Sequence, residues 1–431
     1  MGRGIRNSLW LGAWLGLLGT VAGGLVAIAP ASVWAQQLAP EVIEQFLADP
    51  TQDPLRDPLL PQPPIRRPLS PLEKLALERQ LDRLNQQAQN LLTAGETEAA
   101  FALWMREVRL RRTISLEQEL AALRRVSQYI WEQGRTSENQ LVRSRLRQLQ
   151  AEAVGAELAD VDLLEATGEI FLTLREQPGA VEVYRQIAAI EQGRGNTEAQ
   201  TAALEQVGQL QLDWFEFLAA AETYQQLLAI AEQQRSSASA IEPYLAALVY
   251  SYTQAQAAAE AIPYQQQLIE VYQAQGKLTE IPKVQLGIAR HYRALEQPEQ
   301  ALSFYRLAYA SAQAFQQYDY GSLVLRELGE IYQSLGQLEE ALSIYRILIQ
   351  VERQTYNAYG IMAAFDQIGQ IYRAQGKTEQ ARTAFQEALL LATQLSAQES
   401  YFQAQLQSLS LPAPVDSAEP DGWRSGSARE F

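Results

Sequence analysis

One histidine, His291, and no cysteine in 431 residues leave this chain few ways to do chemistry. Disulfides, thiolate metal sites and histidine-based triads are excluded. Neighbouring carboxylates such as Glu339 and Glu340 fall on surface positions of helical sequence, where solvated charge is their ordinary role. The glycines of RQIAAIEQGRG end a helix and do not form a Walker-type phosphate loop. No catalytic constellation emerges, and neither an enzyme nor a cofactor is expected. What remains is arginine, whose planar fork suits a carboxylate. Arg290, Arg293, Arg326 and Arg373 are one group, in the C-terminal half. A second lies between residues 106 and 147, with Arg109, Arg111, Arg112, Arg124, Arg125, Arg143, Arg145 and Arg147. That cluster reads either as a contact for anionic lipid or an acidic partner, or as a solvated helix face.

The elements that position these residues are repeats. LRELGEIYQSLGQLEEALSIYRIL begins at Leu325, and FDQIGQIYRAQGKTEQARTAFQEAL begins at Phe365. Leu328, Gly329, Tyr332, Gly336, Ala341 and Tyr345 fall on Ile368, Gly369, Tyr372, Gly376, Ala381 and Phe385, a step of 40 residues each time. Apolar residues at i, i+3 and i+7 with a small one at i+4 make one helix, and Ala with an aromatic four later marks its partner. The glycine between them stops the first helix, because it readily takes the left-handed conformation. Counting back by 40 places the small helix-B residue at Ala301, Ala261, Ala220, Ala180 and Ala100, with Gln140 in a degenerate unit. The fifth unit departs from the pattern. Its step is 41, Gln265 stands where an aromatic belongs, and Pro243 and Pro263 lie inside it. It reads as a local irregularity or as a joint between two half-solenoids.

This pattern resembles the tetratricopeptide repeat, in a variant longer than the family's usual 34 residues. The resemblance implies an all-α fold, a right-handed α-solenoid of stacked antiparallel helix pairs with a concave groove. It also implies which places on each first helix face that groove: Glu165, Glu169, Tyr250, Arg290, Arg293, Arg326 and Arg373 are the partner-binding candidates. The third and fourth units are then acidic, and the sixth to eighth present arginine. Family members that clamp a C-terminal carboxylate use lysine and asparagine at such places. The asparagines are missing here, so that mode is not expected, and the arginines read either as a groove gripping an acidic segment or as solvated surface charge.

Residues 1–35 combine Arg3 and Arg6, a long uncharged apolar stretch and ASVWA before Gln36, the parts of a secretory signal peptide cleaved after Ala35. The alternative is a membrane anchor over residues 9–29. Dense proline over 36–71 reads as a semi-rigid linker, 72–160 as degenerate helical repeats, 161–395 as the repeat array and 408–431 as a disordered tail. Net charge is −15, with 17 basic against 35 acidic side chains over 151–431. Acidity argues against nucleic acid. The sequence therefore predicts a non-catalytic scaffold, exported to the periplasm or another extracytoplasmic lumen, that binds a protein or peptide. It would act in assembly or biogenesis of an envelope or membrane complex; the alternative is a peptide- or ligand-sensing regulator. Its N-terminal segment would place it near a membrane.

Overall fold

The computed structural model describes residues 38–52, 57–61 and 67–409. The expected signal segment and nearly all of the expected tail lie outside the described residues. Within them are 18 α-helices and no strand. After α1 (Pro40–Leu47) the chain runs as antiparallel helix pairs: α2 (Pro71–Thr93) with α3 (Thr97–Arg111), and α4 (Leu116–Glu132) with α5 (Thr136–Gly155). Then come α6 (Val161–Thr173) with α7 (Gln177–Arg194), α8 (Thr197–Asp213) with α9 (Phe217–Gln233), and α10 (Ala238–Gln254) with α11 (Ala258–Ala274). The last three pairs are α12 (Ile281–Ala294) with α13 (Pro298–Ala314), α14 (Tyr318–Ser334) with α15 (Leu338–Gln354), and α16 (Ala358–Ala374) with α17 (Thr378–Leu395). A single helix, α18 (Glu399–Ser408), closes the end by burying Phe402 beside Phe385 and Ala392. Each pair packs on the next, giving a right-handed α-solenoid. A helix pair cannot bury its apolar face alone, so stacking supplies the core.

The turn inside each pair follows from its sequence. Gly336 and Gly376 take φ of +73° and +71°. The N–H of Gln337 then reaches Tyr332 O at 2.9 Å, and that of Gly336 reaches Gln333 O at 3.0 Å, the paired bonds that close a helix end. The same left-handed place is filled by Arg175, Phe215, Gln256 and Glu296 in other units. These four side chains are exposed, and the turn's own hydrogen bonds hold a conformation that glycine takes more readily.

Helix spacing depends on a ring and a gap. Tyr345 on α15 lies across Gly329 on α14, where a Cβ would come within 2.6 Å of the ring. Phe385 meets Gly369 and Tyr224 meets Gly208 in the same way, at 2.6 and 2.9 Å. The fifth pair reverses this size relation: Val249 holds the glycine's place and Gln265 the aromatic's. Its two helices are each 17 residues long, like most of their neighbours. The irregularity is therefore one of side chains, and the extra residue falls in the α9–α10 connection. The buried core also divides here, along α12. Val284 and Ile288 pack towards the N-terminal core, Leu286 and Ala289 towards the C-terminal one, and half-buried Tyr292 and Phe304, stacked at 5.5 Å, touch both.

Two expectations for the N-terminal region change. The proline-rich stretch is not a free spacer where it is described. It forms α1, buries Phe46, Leu60 and Leu69, and holds Asp57 to Arg106 at 2.6 and 2.8 Å. The arginine cluster of 106–147 is not an open basic surface either. Arg145 clasps the fully buried Glu119 through two bonds of 2.7 and 2.9 Å, and Arg112 reaches the same carboxylate at 3.0 Å. Arg111 and Arg125 converge on buried Glu107 at 2.7 and 2.6 Å. Burial, with Arg145 alongside, pushes the Arg112 guanidinium below its ordinary value, although Glu119 pulls it up. The sequence reading missed this because Glu107 and Glu119 are scattered along the chain and meet the arginines only across helices.

Candidate functional site

Polar contacts join the first helices of successive pairs like rungs. Arg124 on α4 reaches Glu169 on α6, and the Tyr244 hydroxyl on α10 donates to Glu205 on α8 at 2.6 Å. Arg290 Nε on α12 lies 3.0 Å from both oxygens of Glu327 on α14, and Arg293 pairs with Glu330 at 3.5 Å. At the C-terminal end, the Tyr401 hydroxyl on α18 donates to Asp366 on α16 at 3.1 Å, and Arg373 reaches Gln405. Second-helix tyrosines reach these first helices from below, past Gly329 for Tyr345. Tyr305 donates to Glu327 at 2.9 Å and Tyr345 to Gln333 at 3.0 Å. Burial first, then the neighbouring Glu327 and Glu330, push both phenols up.

Three of the arginines proposed from sequence meet in one place. Arg290, Arg293 and Arg326 line a cleft of about 560 Å³ between α12 and α14, together with Leu323, Glu327 and Glu330. Arg326 is held at 3.4 Å by Glu352, whose side chain is 1% exposed. With Glu352 counted, three guanidiniums meet three carboxylates, so these groups leave the cleft without net charge. An incoming carboxylate there would exchange with glutamates already paired, so preorganised fork geometry is offered in place of bare charge. Arg373 lies further along, outside this cleft. Glu165 and Glu169 stand on α6 and Tyr250, 49% exposed, on α10. The structure does not bring these three into the arginine cleft. The partners Glu327, Glu330 and Glu352 were missed. A signal existed for two of them, since Arg290–Glu327 and Arg293–Glu330 are both 37 residues apart, which is one repeat less about a turn.

His291, the lone histidine, is structural. Its Nδ1 lies 2.8 Å from Gln265 Oε1 on α11 and its Nε2 lies 3.3 Å from the Thr253 hydroxyl on α10. The polar Gln265 thus has a partner that an aromatic would deny. Burial lowers the His291 pKa below its ordinary 6.5. A base depressed by folding binds its proton more readily in the unfolded chain. Its contribution is whole above pH 6.5 and is lost as pH falls from there through the lowered folded value. Melting curves from about pH 7.5 down to pH 5.5 should therefore fall more steeply for the wild type than for His291→Gln. Parallel slopes would refute this.

Residues 322–394 match the family model described as the tetratricopeptide repeat. That is the stretch carrying the two clear sequence copies. Solved structures similar to this chain include BtubC from P. vanneervenii (15% identity, 60% of this chain and 96% of that one, TM-score 0.36). Others are the C-terminal part of a TPR repeat-containing protein from Cytophaga hutchinsonii (13%, 65% and 98%, 0.40) and aspartyl phosphate phosphatase F from Bacillus subtilis (16%, 67% and 78%, 0.38). No curated protein matches the chain.

Proposed function

We propose that this chain is a non-catalytic scaffold that holds an acidic segment of a protein partner in its concave groove. The observation that carries the reading is the convergence of Arg290, Arg293 and Arg326 on one open cleft. Tetratricopeptide-type folds bind protein or peptide partners. The signal-like residues 1–35 favour an exported protein, in the periplasm or another extracytoplasmic lumen, and a role in assembling an envelope or membrane complex follows from that placement. Crosslinked capture from intact membranes tests it, with wild type beside an Arg290→Gln, Arg293→Gln double variant. Neutral replacements are preferable to reversals, because Glu327 keeps the Tyr305 hydroxyl when Arg290 is gone. A single stoichiometric partner lost in the variant supports the groove reading. A partner kept at wild-type yield sinks it.

The division of the core along α12 favours a second reading, a regulatory solenoid that bends there when a peptide or ligand binds. A small dialysable ligand that raises the melting point without any protein partner would support this reading over the first.

A further inference from the structure

Aromatic side chains stand in the open at the fourth and fifth pairs, away from the arginine cleft. Phe215, in the turn between α8 and α9, is 76% exposed and takes φ of +62°. Equivalent turns use Gly336 and Gly376. Neither its backbone conformation nor its burial stabilises a phenylalanine there. Its ring meets Phe217 edge-on at 6.0 Å, and Phe217 meets Tyr250 edge-on at 6.0 Å. Three rings therefore lead from the α8–α9 turn onto α10. Trp214, 47% exposed, adjoins them in sequence.

The charge beside these rings is of one sign. Asp213 and Glu216 flank the turn, and Glu205 lies two turns back along α8. The nearby Tyr224 phenol is pushed up by burial and then by Glu205 and Asp213. Among the described residues of 195–250 only Arg235 is basic, against seven acidic side chains. Negative charge repels an anionic lipid surface. It favours a cationic chain, whose ammonium or guanidinium groups also gain from open aromatic faces.

From this charge complementarity we infer that the Phe215–Phe217–Tyr250 rings, with Asp213 and Glu205, form a docking site for a cationic peptide segment bearing an apolar anchor. The inference rests on the groove reading and extends it. With the arginine cleft two pairs further on, where an incoming carboxylate can exchange with paired glutamates, a segment basic at one end and acidic at the other binds in one direction only.

The test uses the full chain and a fluorescein-labelled decapeptide of alternating lysine and leucine, with a glutamate–leucine peptide of equal length as control. Fluorescence polarisation should show binding of the lysine peptide, at least about tenfold tighter than the control. Asp213→Lys with Glu205→Lys should weaken it about tenfold or more. Phe215→Gly should weaken it by a similar factor while leaving the melting point unchanged or higher, an outcome that lost folding cannot give. The Arg290→Gln, Arg293→Gln variant should bind the lysine peptide as wild type does, so failure of the arginine cleft and failure of this site are separable. Equal affinity for both peptides, or charge reversal without effect, would overturn the proposal. So would binding to vesicles of anionic or zwitterionic lipid in the absence of peptide binding.

Discussion

Glu119→Gln should destabilise the N-terminal helix pairs by about 3–5 kcal/mol, the cost of leaving buried guanidiniums without their counter-charge. Glu119 is 1% exposed and accepts from Arg145 twice and from Arg112 once. Glutamine keeps the shape, removes the charge and turns an N–H₂ group towards donors. The remaining supports are weaker: Glu152 lies 3.1 Å from Arg145 and is half exposed, and Arg112 keeps the neutral carbonyls of Leu47 at 2.8 Å and Phe46 at 3.5 Å. Denaturant unfolding would give the magnitude, and hydrogen exchange would show α3, α4 and α5 opening first, as nearest-neighbour stacking demands. Glu117→Gln, on the exposed side of the same helix, should stay within about 0.5 kcal/mol. Adding Arg145→Met to Glu119→Gln should cost less than the two changes summed, because the second removes the charge that the first orphaned. Simple additivity would show that the cluster does not act as a unit.

Tyr345→Ala should cost about 3–5 kcal/mol, since it empties a fully buried ring site between α14 and α15. The converse change, Gly329→Ala, should cost about 1–3 kcal/mol although alanine is the better helix former. Its Cβ would lie 2.6 Å from the Tyr345 ring, which is 0% exposed and has no free space to enter. The fifth pair points to the compensation. There Val249 and Gln265 occupy the two places, so Gly329→Val should be partly rescued by Tyr345→Gln. Thermal melts of the four proteins form a double-mutant cycle, and a coupling energy near zero would refute the ring-and-gap account.

Much of this protein follows from sequence alone. Periodic leucine, glycine, alanine and tyrosine specify helix pairs, because a helix must bury one face and a glycine must end it. The Ser70 capping box forms as written, with Ser70 N–H on Glu73 at 2.7 Å and the Glu73 carboxyl drawn down to about 2 by Arg67 and Ser70. Local signals of this kind act within a few residues, so the chain order contains them. That Arg290 and Arg326 come near one another was equally legible, since a 40-residue period brings them onto the first helices of adjacent pairs at neighbouring levels.

What tertiary structure decided is how those charges are used. The ten arginines over 106–147 look like a basic surface until α3, α4 and α5 fold Glu107 and Glu119 into their midst. Arg290, Arg293 and Arg326 look unopposed until stacking sets Glu327, Glu330 and Glu352 against them. Gln265 is an anomaly in the pattern until His291 turns towards it from the next pair. Arg111–Glu107 aside, each of these contacts joins residues 18 to 37 positions apart. Coulombic and hydrogen-bonding partners are chosen by distance in space, and in a solenoid that distance is fixed by how one helix pair lies on the next.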